Sequence, residues 1–395
     1  MLQLAPRVCW PLDTGAKLRN YHLARVVSPQ ASLTLLAFGD DTSIPELRAV
    51  YENVVTVPRG SGYSLGKLLR GAIGRTPLPL LNYTAREMTE AVARVLEKDF
   101  DLVQVESIHL MNYLPTIRRA RKPPLVICDW HNIESELMRR YSEQEESAGR
   151  RVYARRTARL MRAFEQRALS EFDAHIAVSE RDAAALRAIN PAAKVFVIEN
   201  GVDSEHYSSD KYTLGNAHRL VFVGSMDYHG NVEGVVKFAR HVWPSIRQRE
   251  PELIFTIVGK DPAPAVRDLT SIKGIEVTGS VADVRPYYRE AIAAIVPLNV
   301  GGGSRLKILE AMAAGVPVVS TTLGAEGLDV RDGEHILVAD DDDRLTKAIL
   351  DLLNDQPLRT KIIAGGRALV AEHYDWAHLG AKLSNVYRQL LNGNG

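Results

Sequence analysis

Residues 301–317 read GGGSRLKILEAMAAGVP, and this stretch decides the fold class that the sequence predicts. It follows Ala293–Pro297, a short apolar run typical of a buried strand. Glycines after a strand let the backbone approach a ligand closely, and a helix capped by Ser304 would turn its first N–H groups toward an anion. The stretch therefore predicts a strand, an anion-binding loop and a helix, which form one unit of an open α/β sheet.

Two charged side chains share one face of this predicted helix, because Lys307 and Glu310 are three residues apart. Lys307 lies nearer the glycines and is expected to meet phosphate, whereas Glu310 lies deeper and is expected to bind ribose hydroxyls. Arg305 points elsewhere but lies close enough to the helix N-terminus to reach an anion. The predicted nucleotide-sugar ligands in this stretch are Gly302, Gly303, Ser304, Arg305, Lys307 and Glu310.

A purely structural interpretation of the same stretch stays open. The three glycines alone are also typical of a tight turn, with Glu310 paired to a nearby base. The pattern is not a Walker P-loop, because no Gly-Lys-Ser/Thr follows, and it is not the G-x-G-x-x-G fingerprint that follows a first strand. The ligand assignment therefore needs support from the rest of the chain.

Short apolar runs alternate with amphipathic stretches from one end of the chain to the other, which indicates βαβ units and mainly parallel sheets. The polar, irregular segment Asp203–His218 interrupts this alternation. We therefore predict an N-terminal Rossmann-like domain at 1–205, a linker at 206–216 and a second Rossmann-like domain at 217–375. A last helix at 377–391 is expected to return to the first domain. The predicted fold is α/β, with two tandem sheets facing a central cleft.

The strands of both domains are predicted from β-branched runs bounded by turn residues. The predicted strands are Leu2–Ala5, Ser32–Phe38, Val54–Val57, Leu102–Val105, Leu125–Cys128, Ala174–Val178, Val195–Ile198, Leu220–Val223, Leu253–Val258, Ile275–Thr278, Ala293–Pro297, Val316–Ser320 and Ile336–Val338. The amphipathic stretches predicted between them include Ala85–Lys98, Ile133–Leu169, Val232–Arg249, Lys307–Ala314 and Arg344–Leu353.

The composition is that of a globular protein and excludes several other classes. Of 395 residues, 46% are hydrophobic and 25% are charged, and the net charge of +1 gives no argument for nucleic acid. No apolar run reaches the roughly 18–20 residues that a membrane-spanning helix needs. Cys9 and Cys128 have no metal-ligand spacing, and no charged-then-apolar leader follows Met1. These features favour a reducing, cytoplasmic location.

One segment is locally basic. Arginines recur through residues 150–167, interleaved with Leu160, Met161 and Phe164. A long surface helix with a solvated arginine face explains this pattern. The alternative is a surface that, together with Lys67, Arg70 and Arg75, meets anionic lipid headgroups at the inner face of a membrane.

Several short motifs occur in an order that resembles a known family. They are Pro11–Arg19, His131–Glu134, Val178–Glu180, Ile198–Asp203, Val223–Met226, Val258–Gly259, Gly279–Asp283 and Glu310–Pro317. In this order, across nearly the whole chain, they resemble the retaining glycosyltransferases of family 4, whose fold is the two-Rossmann GT-B fold. Single pieces are weak signals, whereas the ordered set is specific.

The resemblance implies roles for residues that spacing alone does not assign. It implies that Gly15 brings its backbone close to the diphosphate or the reacting sugar, and that His131 orients the donor sugar or polarises its hydroxyls. It also implies that Gly224 and Gly259 lie at the nucleotide sugar. Arg19, one turn after Gly15, is expected either to face the cleft or to form a surface salt bridge.

The sequence departs from the family pattern at two places. The family usually has a pair of glutamates separated by seven residues, but Gly302 stands where the first belongs, which leaves the donor sugar open. The segment Ser225–Asn231 lacks the Arg and Lys that usually grip the diphosphate, so Lys307 is the predicted replacement cation. This variant pattern resembles a bacterial branch associated with exopolysaccharide and cell-envelope assembly.

The expected reaction is metal-independent transfer of a sugar, of the hexosyltransferase type, with retention of configuration. Lys307 and the glycine loop would stabilise the departing diphosphate, Gly15 and His131 would act on the sugar, and no cofactor or metal is expected. The expected partners are a nucleotide sugar and a saccharide or lipid-linked acceptor. Two alternatives stay open: a nucleotide-sugar epimerase or hydrolase on the same fold, and a binding protein without turnover.

Overall fold

The structure is a computed structural model, which describes residues 1–40, 44–60, 66–67, 70–71, 74–145, 147–208, 218–300 and 305–393. The chain divides into two compact units. The first unit comprises Met1–Glu199 together with Leu379–Gly395, and the second comprises Asn200–His378. Most of the predicted linker lies outside the described residues, although Ser204–Tyr207 at its edge forms a short helix.

The first unit contains a seven-stranded sheet in which every neighbouring pair is parallel, in the order β3-β2-β1-β4-β5-β6-β7. Its strands are β1 (Leu2–Ala5), β2 (Thr34–Phe38), β3 (Asn53–Val57), β4 (Leu102–Glu106), β5 (Leu125–Trp130), β6 (Ala174–Ala177) and β7 (Val195–Val197). The central strands β1, β4 and β5 are buried along their whole length, as is typical of a parallel sheet covered on both faces. Their residues are mostly apolar, and the buried polar exceptions are Gln3, Gln104, Glu106 and Asp129.

The helices of the first unit connect these parallel strands, as crossovers require. They are α1 (Gly15–Val27), α2 (Pro45–Arg48), α3 (Leu78–Leu81), α4 (Arg86–Val95), α5 (Leu114–Arg118), α6 (Glu134–Gln144), α7 (Ala148–Glu171) and α8 (Glu180–Ile189). Short 3₁₀ turns occupy Ser28–Gln30 and Ile108–Tyr113.

The second unit contains a six-stranded parallel sheet in the order β10-β9-β8-β11-β12-β13. Its strands are β8 (Arg219–Val223), β9 (Ile254–Val258), β10 (Ile275–Gly279), β11 (Ala291–Val296), β12 (Val318–Ser320) and β13 (Leu337–Val338). Its helices are α9 (Ser204–Tyr207), α10 (His229–Lys237), α11 (Trp243–Arg249), α12 (Pro264–Arg267), α13 (Arg285–Arg289), α14 (Leu306–Ala313), α15 (Asp342–Asn354) and α16 (Gln356–Leu369). A 3₁₀ turn (Asp268–Ser271) and two π-helical turns (Phe238–Val242 and Val370–Tyr374) complete the unit.

The chain ends in helix α17 (Trp376–Asn392), which belongs to the first unit from Leu379 onward. A Cβ at Gly380 would lie 2.4 Å from Val26, so α17 packs closely on the end of α1. Lys382 Nζ lies 2.9 Å from Oε2 of Glu199, and Tyr387 donates a hydrogen bond to Gln104. None of the helices in the described ranges is long and apolar enough to cross a bilayer.

The sequence prediction of an α/β chain with two parallel sheets is confirmed. Each predicted strand is present, with ends displaced by no more than about two residues, the usual uncertainty of a boundary. The predicted amphipathic stretch Ile133–Leu169 comprises two helices, because Glu145 and Ser147 take extended backbone conformations between α6 and α7. The acidic helix start is at Asp341, whose carboxylate accepts a hydrogen bond from the N–H of Arg344.

Each sheet has one point where its strand order reverses, between β1 and β4 in the first unit and between β8 and β11 in the second. Open α/β sheets bind ligands beyond the carboxyl ends of the strands at such a point. His131 follows β5, next to the first of these points. Gly224 and Lys307 follow β8 and β11, which flank the second.

Candidate functional site

His131 of the first unit lies just beyond β5, with its side chain 14% exposed and Nε2 at 3.2 Å from Oε2 of Glu106. Glu106 is the last residue of β4, the strand beside β5. Its Oε1 accepts hydrogen bonds from Gln3 at 2.6 Å and from Gln104 at 2.8 Å. Burial opposes ionisation of Glu106, but His131 and the two amides together hold its pKa below the usual value. The carboxylate is therefore ionised and acts as an acceptor.

A second buried ion pair, between Arg19 of α1 and Asp129 of β5, lies beside Glu106. Two hydrogen bonds join the guanidinium to the carboxylate, at 2.9 and 3.1 Å, and the side chains are 1% and 0% exposed. Arg19 also donates to the carbonyl of Glu199 at 2.8 Å. Burial raises the pKa of Asp129, and the charge of Arg19 opposes that rise. The predicted surface salt bridge of Arg19 is wrong, because the guanidinium is paired inside the first unit and is not at a surface.

The residue after Glu106 is strained. Ser107 has a φ of 96°, a conformation that costs a side-chain-bearing residue about 1–3 kcal/mol. Its hydroxyl accepts a hydrogen bond from the backbone N–H of His109. His109 Nε2 lies 3.9 Å from Oε1 of Glu134. Backbone strain of this kind tends to occur where a binding or catalytic arrangement demands it.

Two titratable side chains beside His131, Glu134 and His109, have pKa values shifted from their ordinary values. Burial raises the pKa of Glu134 to about 7, against the opposing charge of His131. Burial, together with the charge of His131, lowers the pKa of His109 to about 4. The edge of the first sheet therefore holds a neutral imidazole and a carboxyl group that is partly protonated at neutral pH.

Within the described ranges, one group of side chains has the ligand types and spacing of a metal site. It consists of Glu106, Asp129 and His131, whose ligand atoms lie within 4.8 Å of one another. However, Arg19 covers both oxygens of Asp129, and two amides cover Oε1 of Glu106. A cation would have to displace these donors, so the group fits an internal ionic network better than a metal centre.

Gly15 is the first residue of α1, and its N-cap residue Thr14 makes no side-chain capping bond. The first N–H groups of α1 are therefore not satisfied by that hydroxyl, which suits an anion or a polar ligand at this end. Lys17 is paired with Asp13 at 2.8 Å, one turn away. The structure thus places Gly15 at a helix start in the first unit, as the glycine loop after β1 predicts.

In the second unit, Lys307 lies on the first turn of α14. Its Nζ donates a hydrogen bond of 2.6 Å to Oδ1 of Asn231, on α10, and stands 4.5 Å from the centre of the Phe222 ring. Burial lowers the pKa of Lys307 to about 7, with a further contribution from Arg305 and opposition from Glu310. Among the described residues, no carboxylate forms an ion pair with this ammonium, and a bound anion would supply the negative charge that favours its protonated form.

Glu310 lies one turn further along α14, where two phenol groups hold its carboxylate. The hydroxyl of Tyr288 lies 3.4 Å from Oε2, and the hydroxyl of Tyr207 also makes a hydrogen bond to the carboxylate. Burial raises the pKa of Glu310, while the two tyrosines and Lys307 oppose the rise. A carboxylate has about four acceptor positions, so Glu310 retains capacity for a ligand hydroxyl.

The two predicted glycines of this unit lie beside Lys307. A Cβ at Gly224 would stand 2.9 Å from Nδ2 of Asn231 and 3.2 Å from Nζ of Lys307. At Gly259 a Cβ would stand 1.7 Å from the carbonyl oxygen of Gly224. Gly224 therefore lies at the lysine itself, whereas Gly259 acts indirectly by allowing the backbone of Gly224 to take its position.

Of the remaining predicted ligands, the structure describes only Arg305. Gly302, Gly303 and Ser304 lie outside the described residues. Helix α14 begins at Leu306, and its N-cap residue is Arg305, one residue later than the predicted cap. The guanidinium of Arg305 is 6% exposed, donates to the carbonyl of Glu326 at 3.2 Å and lies 3.6 Å from its carboxylate. Arg305 is thus engaged within the second unit.

The sequence interpretation did not identify Glu106, Asn231, Tyr207 or Tyr288 as site residues. Glu106 reads as the polar end of a strand, and Asn231 lies 76 positions from Lys307. The available signal for Asn231 was its place after β8, where the family's usual cations are missing. The two tyrosines carried no local signal, because only the packing of α9 and α13 brings them to Glu310.

Two parallel α/β sheets in one chain, with glycines, a lysine and a carboxylate at the switch point of the second, define the GT-B class of glycosyltransferases. Family models place the chain more narrowly. Residues 20–206 match Glycosyltransferase Family 4, and residues 217–355 match Glycosyl transferases group 1. Together these matches cover most of the chain, which therefore belongs to the family 4, group 1 glycosyltransferases.

Curated relatives are similar over part or most of their length. An uncharacterized 44.6 kDa protein in the cps region of Klebsiella pneumoniae is 23% identical over 71% of this chain and 72% of its own. A phosphatidyl-myo-inositol mannosyltransferase of Mycobacterium leprae is 30% identical over 48% of this chain and 52% of its own. The chain thus spans about half the length of that mannosyltransferase.

Solved structures share the fold over the whole chain. Sucrose-phosphate synthase from Thermosynechococcus elongatus superposes with a TM-score of 0.71 at 18% identity, covering 100% of both chains. HepE from Anabaena, solved in complex with UDP and glucose, superposes with a TM-score of 0.67 at 16% identity, covering 98% of this chain and 99% of its own. At these identities the likeness establishes the fold alone.

Proposed function

We propose that the protein transfers a sugar from a nucleotide-diphosphate donor to an acceptor hydroxyl with retention of configuration. The observation that carries this proposal is the arrangement around Lys307, in a chain of this family. A half-buried lysine, hydrogen-bonded only to a neutral amide among its described partners, lies at the switch point of the second sheet, one turn from Glu310. A diphosphate needs such a cation, and a ribose needs such a carboxylate.

In the proposed reaction, different side chains bind the diphosphate, the ribose and the donor sugar. Breaking the bond between sugar and phosphate places charge on the departing diphosphate, which Lys307 and the N-terminal end of α14 would stabilise. Glu310 would hold the ribose, with Tyr207 and Tyr288 fixing its carboxylate. His131 would accept a hydrogen bond from the donor sugar, and the backbone at Gly15 would approach the same region. The donor phosphate would take the acceptor proton, so we assign no nucleophile, no cofactor and no metal.

The identity of the donor is addressed by the relatives in only a general way. One relative, from Mycobacterium tuberculosis, is described as a GDP-mannose-dependent mannosyltransferase and is 28% identical over 51% of this chain. The Anabaena neighbour was solved with UDP-glucose. Gly302 replaces the first glutamate of the usual pair. We therefore propose a hexose donor and leave the base to experiment.

The test is a panel of nucleotide sugars, including UDP-glucose and GDP-mannose, with release of nucleoside diphosphate as the readout. Release that depends on an added acceptor supports transfer. Release without acceptor, or conversion of the donor sugar, supports the hydrolase or epimerase alternative. Binding of a nucleotide sugar without release supports the binding-protein alternative. Lys307→Met is the active-site variant, and Lys347→Met, on a highly exposed lysine of α15, is its matched control.

We further propose a role in assembling polysaccharide or glycoconjugate in the bacterial cytoplasm, with a saccharide or lipid-linked acceptor. The support is that the Klebsiella relative is described as a protein of the cps region and the Mycobacterium leprae relative as a phosphatidyl-myo-inositol mannosyltransferase. Incubation with an active donor and short saccharides or lipid extracts, followed by mass spectrometry, tests this. Labelled product in neither fraction would contradict it.

Helix α7 is the proposed surface for peripheral contact with an anionic membrane. Five of its arginines are exposed, and the same helix exposes Val152 by 66% and Tyr153 by 39%. The exposed arginines are Arg150, Arg155, Arg159, Arg162 and Arg167. Basic side chains beside exposed apolar ones are typical of interfacial binding, at about 1 kcal/mol for each basic residue near the surface. Arg156 is different, because it donates to the carbonyls of Gly71 and Gly74.

Co-sedimentation with vesicles that contain anionic lipid tests this surface. We expect binding at low salt, loss of binding at high salt, and loss in a variant with Arg150, Arg155 and Arg159 changed to glutamate. The matched control changes Arg86 and Arg121, which are 88% and 80% exposed elsewhere on the first unit. Equal binding of both variants would contradict a role for α7.

A further inference from the structure

Glu106 is almost completely enclosed, and each of its neighbours in the described network is a hydrogen-bond donor. Its side chain is 1% exposed. Gln3 and Gln104 donate to Oε1, and His131 lies at Oε2. The amide of Asn20, turned with its nitrogen toward Glu106, also reaches Oε2 at 3.1 Å. An ionised carboxylate with this set of neighbours has no proton to give, so the His131 nitrogen that faces it must carry one.

The two glutamines cannot reverse their direction, because tyrosines fix them from behind. The hydroxyl of Tyr51 donates to Oε1 of Gln3 at 2.5 Å, and the hydroxyl of Tyr387 donates to Oε1 of Gln104. Burial raises the pKa of both tyrosines, so both hydroxyls keep their protons. Each tyrosine therefore leaves the amide nitrogen as the group that faces Glu106.

We propose that Glu106 is the positioning residue of the active site, which fixes the His131 tautomer with its proton on Nε2 and leaves Nδ1 to accept a hydrogen bond from a hydroxyl of the donor sugar. The second half of this statement rests on the proposed transferase function. The first half rests on geometry alone. The tyrosine hydroxyls fix the orientation of the two glutamine amides, and these amides donate to the carboxylate of Glu106. The carboxylate then requires a proton on the imidazole nitrogen that faces it.

The proposal predicts a reversal in Glu106→Gln. Gln3 and Gln104 still donate at the first position, so the new side chain must place its carbonyl oxygen there. Its NH₂ group then faces His131 and donates, so Nε2 of His131 must accept. Asn20, which neither tyrosine holds, turns its amide oxygen toward the same NH₂ group. The proton therefore moves to Nδ1, and the nitrogen that meets the sugar hydroxyl becomes a donor. A carboxylate-to-amide change beside a catalytic histidine in the serine-protease triad selects the wrong tautomer in the same way.

The test is a long-range ¹H–¹⁵N correlation spectrum of protein labelled at its eleven histidines. The spectrum is recorded at pH 8, and His131 is assigned by the signal lost in His131→Asn. We expect a protonated Nε2 and an unprotonated Nδ1 in the unaltered protein, and the reverse in Glu106→Gln. Glu134→Gln is the matched control, because Glu134 acts on His131 through its charge without a recorded hydrogen bond, and it should leave the tautomer unchanged.

Activity provides the second readout. With the donor found active, Glu106→Gln should lower kcat at least about tenfold, as loss of a correctly protonated group does. Its affinity for the nucleoside diphosphate should stay within twofold of the unaltered protein, because the proposed nucleotide ligands belong to the second unit. Folding of the first unit in the variant is checked separately, by its thermal-unfolding midpoint and by unchanged signals of the other histidines of that unit.

Two results would overturn the proposal: a proton on Nδ1 in the unaltered protein, or an unchanged Nε2–H tautomer in folded Glu106→Gln. The first of these decides the question even if the variant does not fold. Absence of turnover with every donor would instead contradict the proposed function. In that case the tautomer measurement still decides whether Glu106 positions His131.

Discussion

Lys307 should take up a proton when the nucleoside diphosphate binds. In the unoccupied protein burial lowers its pKa to about 7, so at pH 8 roughly nine tenths of the lysine is neutral. A diphosphate within contact distance favours the charged form and should raise the pKa by about 2 units. The bound state then holds more protons than the free state, and binding should weaken as the pH rises from 7 to 9.

The expected size follows from these two values. At pH 8 the protonated fraction rises from about one tenth to about nine tenths, an uptake of about 0.8 protons for each nucleotide bound. At pH 6 the lysine is already charged, and the uptake should fall to about 0.1. Titration calorimetry in two buffers with different ionisation enthalpies measures the proton uptake directly. The observed binding enthalpies in the two buffers differ by the proton uptake multiplied by the difference between the two ionisation enthalpies.

Two variants control the measurement. Lys307→Arg keeps a permanent charge and should bind nucleotide with no uptake at pH 8, whereas Lys307→Met should bind more weakly and also without uptake. Tight binding by the unaltered protein with the same heat in both buffers at pH 8 would refute the reasoning. So would an uptake that persists in Lys307→Met, because the proton would then belong to another group.

Three further outcomes follow from contacts described above. Glu310→Gln should weaken nucleotide binding by about 1.5–3 kcal/mol, roughly 10- to 150-fold by calorimetry, and an effect no larger than that of Tyr288→Phe would make Glu310 structural. Gly259→Ala should destabilise the protein by at least about 1–3 kcal/mol in thermal unfolding, while Gly60→Ala, where a Cβ meets nothing within 4 Å, should be nearly neutral. Truncation before Ala377 should abolish turnover, and full activity without α17 would contradict its place in the first unit.

Sequence reasoning succeeded where the physical signal is local. A parallel strand buried on both faces is a continuous apolar run, as in Ala291–Val296, and this signal needs no knowledge of the neighbours. The same holds for Lys307 and Glu310, whose common helix face follows from spacing alone. Helix ends were less exact, since the extended residues at Glu145 and Ser147 have ordinary helix-compatible side chains.

What escaped prediction depends on distant pairing. Glu106 is an ordinary-looking last residue of β4, and its importance arises because β1 and β5 flank that strand region and deliver Gln3 and His131 to it. Arg19 was expected either to face the cleft or to form a surface salt bridge, because arginines are mostly exposed. Its burial requires Asp129, which lies 110 positions away. Periodicity does not report such contacts.

The division of the first unit between the two ends of the chain has a consequence for synthesis. Residues Met1–Glu199 leave the ribosome first, but Leu379–Gly395 completes the same unit and is made last. The amide of Gln104 therefore lacks its hydrogen bond from Tyr387 until the whole second unit has been translated. A prematurely terminated chain would carry every proposed ligand up to Glu310 and still lack the hydroxyl that orients this part of the site. The network behind His131 therefore forms in full only in a chain that has been translated as far as Tyr387.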